Sequence, residues 1–185
     1  MILSDTHILE NLKSGAIVIS PFNQENLNPC SVDLTIAPDY KVYADDILDA
    51  KQYNRVYELK MEGHGVLLEP GRVYLYRCNE RIGCKGNIRA KVEGKSSLGR
   101  LGLFVHVTAG FIDPGFEGSL VLELVATQPV RIYPNMKICQ VEFAYVQGEI
   151  AETYDMKAGS KYHGQTGVQE SLYHKNFDNA DKKVQ

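Results

Sequence analysis

The residues best equipped for chemistry lie between positions 93 and 124. Gly94-Lys-Ser-Ser-Leu-Gly-Arg100 packs glycines, hydroxyls, an ammonium and a guanidinium into one short run. Glycine lets backbone approach an anion closely, and the N–H and Ser96 and Ser97 hydroxyl groups can donate to phosphate oxygens. Lys95 adds charge and Arg100 a planar fork. The run lacks the Gly-x4-Gly-Lys spacing of a Walker loop, and a polar turn between strands would share its composition. Asp113 comes next, in Ala109-Gly-Phe-Ile-Asp-Pro-Gly-Phe116. Asp-Pro-Gly is a turn signature. Phe111 and Phe116 flank it, however, and Gly110 leaves room beside it, which would suit a nucleoside. The alternative is two core phenylalanines and a turn aspartate.

Glu123 is the third. It interrupts the apolar run Ser119-Leu-Val-Leu-Glu-Leu-Val125, and alternation puts it on one face with Val121 and Val125. A carboxylate there is costly unless paired, and burial raises its pKa towards the range useful for proton transfer. A solvent-facing glutamate on an outer sheet face is the competing reading. Together the three groups suggest nucleotide chemistry.

Metal and redox chemistry find less support. None of His7, His64, His106, His163 or His174 is followed two places on by Glu, and no Cys-x-x-Cys occurs, so a zinc deaminase site is not expected. Mg²⁺ carried by a triphosphate would need few protein ligands. Cys30, Cys78, Cys84 and Cys139 match no ribbon or redox pair and read as free thiols. The net charge of −3 offers no broad basic surface for a nucleic-acid polymer. No apolar run approaches a membrane span, and Met1-Ile-Leu-Ser-Asp5 lacks the pattern of a signal peptide, so a cytoplasmic protein is expected.

The elements that must position these groups are mostly strands. A short helix is expected from Ser4 to about Lys13, ended by Gly15. Strands are expected at 16–20, 31–37, 40–43, 65–68, 72–76, 88–92, 103–107, 119–125, 130–133 and 138–146, each β-branched or aromatic and bounded by turn residues. Many short strands after one helix argue for a mainly β fold, a barrel or jelly-roll-like sandwich. The expected division is a β domain over 1–154 and a C-terminal arm over 155–185, polar and glycine-punctuated, that orders on a ligand.

These motifs resemble those of the dCTP deaminase family, a branch of the trimeric dUTPase-like proteins. The resemblance rests on Gly94-Lys-Ser-Ser-Leu-Gly-Arg-Leu-Gly102, His106-Val-Thr-Ala, Ile112-Asp-Pro-Gly-Phe-x-Gly118 and Leu122-Glu, with Ser31-Val-Asp-Leu34, Met136-x-Ile-x-Gln140 and Lys161-Tyr-x-x-Gln165 around them. It runs to about Gly167. It implies a homotrimer with sites between subunits and metal-free deamination at C4 of cytosine, with Mg²⁺ arriving on the triphosphate. Glu123 would be the proton shuttle. Ser96 would hold the attacking water and Arg100 would orient Glu123, both from a neighbouring chain. Lys95, Ser97, Tyr154, Lys161 and Gln165 would bind phosphates and Asp113 the deoxyribose. Leu98, Gly99, Val121, Leu122 and Gln140 would line the nucleotide pocket.

The resemblance also implies a branch. Gly110-Phe111 stands where single-function members often carry His-Arg, and is the pair associated with members that cleave dUTP in place to dUMP and diphosphate. A small residue at 110 would leave space for the hydrolytic water, which Asp113 would prepare. His106 and Val107 match positions linked to feedback by dTTP. The alternatives are a deaminase that releases dUTP, a dUTPase, and a non-catalytic nucleotide-binding trimer.

Overall fold

The structure, a computed structural model, describes residues 1–106 and 108–177. Helix α1 (Asp5–Ser14) is followed by β1 (Ile17–Ser20), β2 (Leu27–Asn28), β3 (Ser31–Tyr43), β4 (Val56–Lys60), β5 (Val66–Leu68), β6 (Tyr74–Cys84) and β7 (Ile88–Gly94). The single turn α2 (Ser96–Gly99), β8 (Leu103–Phe104), β9 (Phe111–Ile112), β10 (Glu117–Ala126), β11 (Val130–Ile132) and β12 (Lys137–Tyr145) complete the body. The fold is mainly β, as its composition of short alternating runs predicts. Among the described residues no helix is long and apolar enough to cross a membrane.

One ten-stranded antiparallel sheet holds nearly everything, in the order β8-β10-β6-β3-β12-β7-β9, with β1 also on β6 and β2 and β4 on β3. Strand β6 gives one edge to β10 and divides the other between β3 and β1. The sheet curls around a core that includes Leu34, Ile36, Leu122, Leu124, Val141 and Phe143, each nearly inaccessible. Each such side chain contributes roughly 1.5–3 kcal/mol by burial. Strands β5 and β11 pair separately as a small flap.

Three expectations change. Residues 31–37 and 40–43 belong to one strand, β3, despite Pro38. The ladder with β12 ends at Thr35 and that with β4 begins at Asp39, so the missing N–H of Pro38 falls between them. The strand expected at 72–76 runs on to Cys84, because Cys78, Glu80, Ile82 and Cys84 alternate inward while polar neighbours point out. The strand expected over 103–107 is two residues long: Val105 leaves the ladder to pack against Gly94, and Val107 lies outside the described residues. Strands β2, β4 and β9 were not anticipated.

Candidate active site

Strand β10 pairs with β6 along most of its length, with a register shift between Ser119 and Val121, and from Leu120 onward its burial alternates. Leu120, Leu122 and Leu124 enter the core, while Val121, Glu123 and Val125 occupy the opposite face, half-buried. Glu123 is therefore on the outer face of the sheet, as the competing sequence reading had it. The C-terminal arm partly covers that face at this point and leaves Glu123 half-buried. The cavity beneath the arm measures about 440 Å³. Glu123, Asp113, Phe111, Tyr154 and Gln165 line it, with Val121 and Leu122 at its base.

Backbone clips fix the arm in place. Gly164 N–H donates to the Glu117 carbonyl at 2.7 Å, Ser119 N–H to the Gln165 carbonyl at 2.8 Å, and Gln165 Nε2 to the Ser119 carbonyl at 2.7 Å. Gly118 permits the crossing, since a Cβ there would lie 3.0 Å from the Gln165 carbonyl oxygen. Further along, Tyr43 Oη accepts from Ser171 N–H at 3.3 Å and Tyr162 Oη from Leu172 N–H at 3.1 Å, while Lys41 Nζ holds Glu170 at 3.0 Å. Sequence reasoning missed Tyr43, Tyr162, Gln169 and Glu170 as cavity residues. Tyr43 ends a strand like many others, and 168–185 carried no recognisable motif.

Burial in the cavity wall pushes the Glu123 carboxyl above the ordinary carboxylate range; its own backbone N–H and the nearby His106 ring pull the other way without cancelling the effect. Asp113 begins the turn that the sequence predicts: Phe116 N–H donates to its carbonyl at 3.1 Å, and Gly115 takes the positive φ of 89° that the third turn position requires. Its side chain is exposed towards the cavity. Phe116 is core and stacks edge-on with Tyr154 at 5.8 Å, whereas Phe111 stays 71% exposed with Arg89 5.2 Å from its ring centre. The pair therefore splits between the two readings.

Gly110 corrects an expectation. It is buried, and a Cβ there would meet His106 Cε1 at 2.9 Å and the Val92 carbonyl at 3.0 Å. The missing side chain makes room for the His106 ring rather than open space for a water. His106 Nδ1 is buried without a hydrogen-bond partner among the described residues.

The remaining candidates lie elsewhere. In the turn after β7, Leu98 is anchored in the core, while Ser96, Ser97, Gly99 and Arg100 are exposed. Leu98 can therefore offer a ligand only its backbone. Lys95 is tied at 2.6 Å to the buried Asp33. Gln140 bridges Ser31 Oγ, at 3.3 Å, and the Gly94 carbonyl, at 3.4 Å. Neither these residues nor Lys161 line the cavity. One chain thus presents two separate part-sites: a partly covered pocket with carboxylates but little positive charge, and an exposed turn with hydroxyls and cations but no cover. Among the described residues no three His, Cys, Asp or Glu side chains converge as a metal site would require.

Comparison with known proteins agrees on the lineage. A family model described as dCTP deaminase-like matches residues 2–146. The protein named dCTP deaminase, dUMP-forming, of Clostridium beijerinckii is 44% identical over 178 residues, 96% of this chain and 99% of its own length. Its namesake in Leptospira biflexa serovar Patoc is also 44% identical over the same shares, and that of Cytophaga hutchinsonii is 41% identical, over 96% of this chain and 99% of that protein. Among solved structures, the 2'-deoxycytidine 5'-triphosphate deaminase of Agrobacterium tumefaciens shares the fold, with a TM-score of 0.64 at 22% identity over 82% of this chain and 50% of the other. This chain spans half the length of that one. Several near-full-length relatives and a family match over most of the sheet lead to one conclusion: the chain belongs to the dCTP deaminase-like family.

Proposed function

We propose that this protein is a dUMP-forming dCTP deaminase, which removes the C4 amino group of dCTP and then cleaves the triphosphate to dUMP and diphosphate. The observation that carries this reading is Glu123, a half-buried cavity carboxylate with no ion-pair partner among the described residues and a raised pKa. Uracil chemistry alone has no use for such a group, which argues against a plain dUTPase. The names of the near-full-length relatives point the same way.

In this account Glu123 takes a proton from a water as its oxygen bonds to C4, and passes that proton to N3. The hydroxyl of the tetrahedral intermediate then gives its proton through Glu123 to the amine. The C4–N bond breaks, ammonia leaves with the bonding pair, and C4=O forms. A poised carboxyl does both jobs because its raised pKa makes it a usable acid and base in turn. Asp113, at the cavity edge, contacts the deoxyribose and prepares a second water. That water attacks the α-phosphorus, and the bond to the bridging oxygen breaks to release diphosphate.

Ser96 and Arg100 belong to the exposed turn, so they act in the cavity of a neighbouring subunit of a homotrimer, holding the water and orienting Glu123. Exposed Leu101, Phe104 and Phe111 supply apolar surface for that contact. Lys95, Ser97, Tyr154, Lys161 and Gln165 take the phosphates. Mg²⁺ is slow to shed water and favours phosphate oxygens, so the residues that hold the triphosphate hold the ion with it; when bound, it neutralises charge on the leaving diphosphate. dTTP shares the deoxyribose triphosphate of dCTP and competes for the same cavity.

The test is a product assay with dCTP and Mg²⁺. Accumulating dUMP with little free dUTP is the expected result. Accumulating dUTP would make the enzyme a deaminase only, and dUTP cleavage without dCTP turnover would make it a dUTPase.

A further inference from the structure

Lys95 opens the phosphate-binding turn, yet its ammonium is already engaged. It lies 2.6 Å from Oδ1 of Asp33, whose side chain is 6% exposed. Lys137 Nζ approaches the other carboxylate oxygen at 3.3 Å and also donates to the Glu25 carbonyl at 3.3 Å. Asn28 Nδ2 adds a hydrogen bond at 3.1 Å. The sheet sets this cluster: Asp33 on β3 pairs with Gln140 on β12, which pairs with Glu93 on β7, two residues before Lys95. Burial works to raise the Asp33 carboxyl, but the two lysines and Asn28 outweigh it and hold it below the ordinary carboxylate range.

A buried carboxylate with a single counter-ion would hold that ion tightly, because removing one partner of such a pair leaves an uncompensated charge. Here there are two ammonium groups on one carboxylate. Lys95 can turn towards a phosphate while Lys137 stays. Lys137 is well placed for this, since its hydrogen bond to the Glu25 carbonyl tethers it independently of Lys95.

We propose that Asp33 and Lys137 are positioning residues for triphosphate binding: Asp33 stores Lys95 beside the turn, and Lys137 is the reserve counter-ion that lets Lys95 leave. The inference rests on the proposed binding of a triphosphate at this turn. Neither residue touches substrate; both act through Lys95.

The experiment is steady-state kinetics on dCTP for Lys137→Met, Lys137→Arg, Asp33→Asn and the double variant Asp33→Asn/Lys137→Met, with inhibition by dUMP as a control. Wild-type turnover of dCTP reports separately on the proposed function, and thermal melts report on folding. Lys137→Met should raise KM for dCTP roughly tenfold with kcat nearly unchanged, which is a loss of binding shared by ground and transition states. Lys137→Arg should restore KM. Inhibition by dUMP, which lacks the outer phosphates, should not change. In the Asp33→Asn background Lys95 is no longer held, so adding Lys137→Met should have no further effect, a full coupling in the cycle. An unchanged KM in Lys137→Met would overturn the proposal. So would a KM increase that persists in the Asp33→Asn background, because Lys137 would then be contacting the phosphates itself.

Discussion

Two shielded carboxylates, Glu123 on β10 and Asp33 on β3, belong to one sheet with β6 between their strands, and have opposite fates. Asp33 has two ammonium groups and an amide, and its carboxyl is held low despite burial. Among the described residues Glu123 has its own backbone N–H and the field of the His106 ring, and burial keeps its carboxyl high. The first arrangement holds charges in place; in the proposed mechanism the second leaves a proton within reach of a reacting atom. Desolvation alone does not mark a catalytic acid. What separates the two is whether the protein supplies a counter-charge.

The comparison breaks most visibly in rate. Glu123→Gln should lower the deamination rate constant by about 10²–10⁴, the usual contribution of a positioned acid–base group, while leaving dUTP cleavage largely intact. A variant that still deaminated dCTP at near the original rate would remove Glu123 from the chemistry. Removing the roof comes next. Truncation after Ser160 deletes Tyr162, Gln165 and the Gln169–Ser171 wall, and should raise KM for dCTP by roughly tenfold or more, because the cavity opens to water. Unchanged KM and kcat would show that the arm is not part of the site.

The acid dependence of activity sharpens the contrast. In the proposed mechanism the base form of Glu123 deprotonates water, so kcat/KM should rise with pH through a midpoint above the ordinary carboxylate value of 4.5, and that limb should vanish in Glu123→Gln. Stability gives the smallest effect, with opposite signs at the two sites. Asp33 binds its proton less readily in the native state, so it stabilises the fold above its unfolded value of 3.8, and that contribution is lost as pH falls through its lower native pKa. Glu123 binds its proton more readily in the native state, so it costs stability as pH rises through the window from 4.5 to its higher native pKa. Glu123→Gln should therefore melt higher at neutral pH, by on the order of 2 °C. A lower melting temperature would mean that the charge has a partner.

Much of this was readable in the chain, for identifiable reasons. Alternation through Ser119–Val125 placed Glu123 on one face with Val121 and Val125, because burial in β10 has period two from Leu120 onward. Turn chemistry placed Asp113. The sheet's long strands were harder: Pro38 concealed the continuity of β3, and the polar outer face of Arg77–Cys84 concealed half of β6. What the sequence could not supply was the roof. Whether the Glu123 face meets water depends on the contacts of Gln165, Glu170 and Ser171 with strands more than forty residues away in sequence. Gly110 failed for a related reason: an absent side chain reads as open space until the neighbour that fills it, His106, is seen.

The separation of the two part-sites makes the central claim directly testable. Glu123→Gln removes the carboxylate from one part and Arg100→Ala removes the guanidinium from the other. Each variant alone should form almost no dUMP from dCTP. Trimers assembled by co-expressing the two should recover about a quarter of the wild-type rate, the share expected from random assortment in a cyclic trimer when each site draws one half from each of two adjacent subunits. A mixture as inactive as its components would contradict the account, because it would mean that both halves of a working site must come from the same chain.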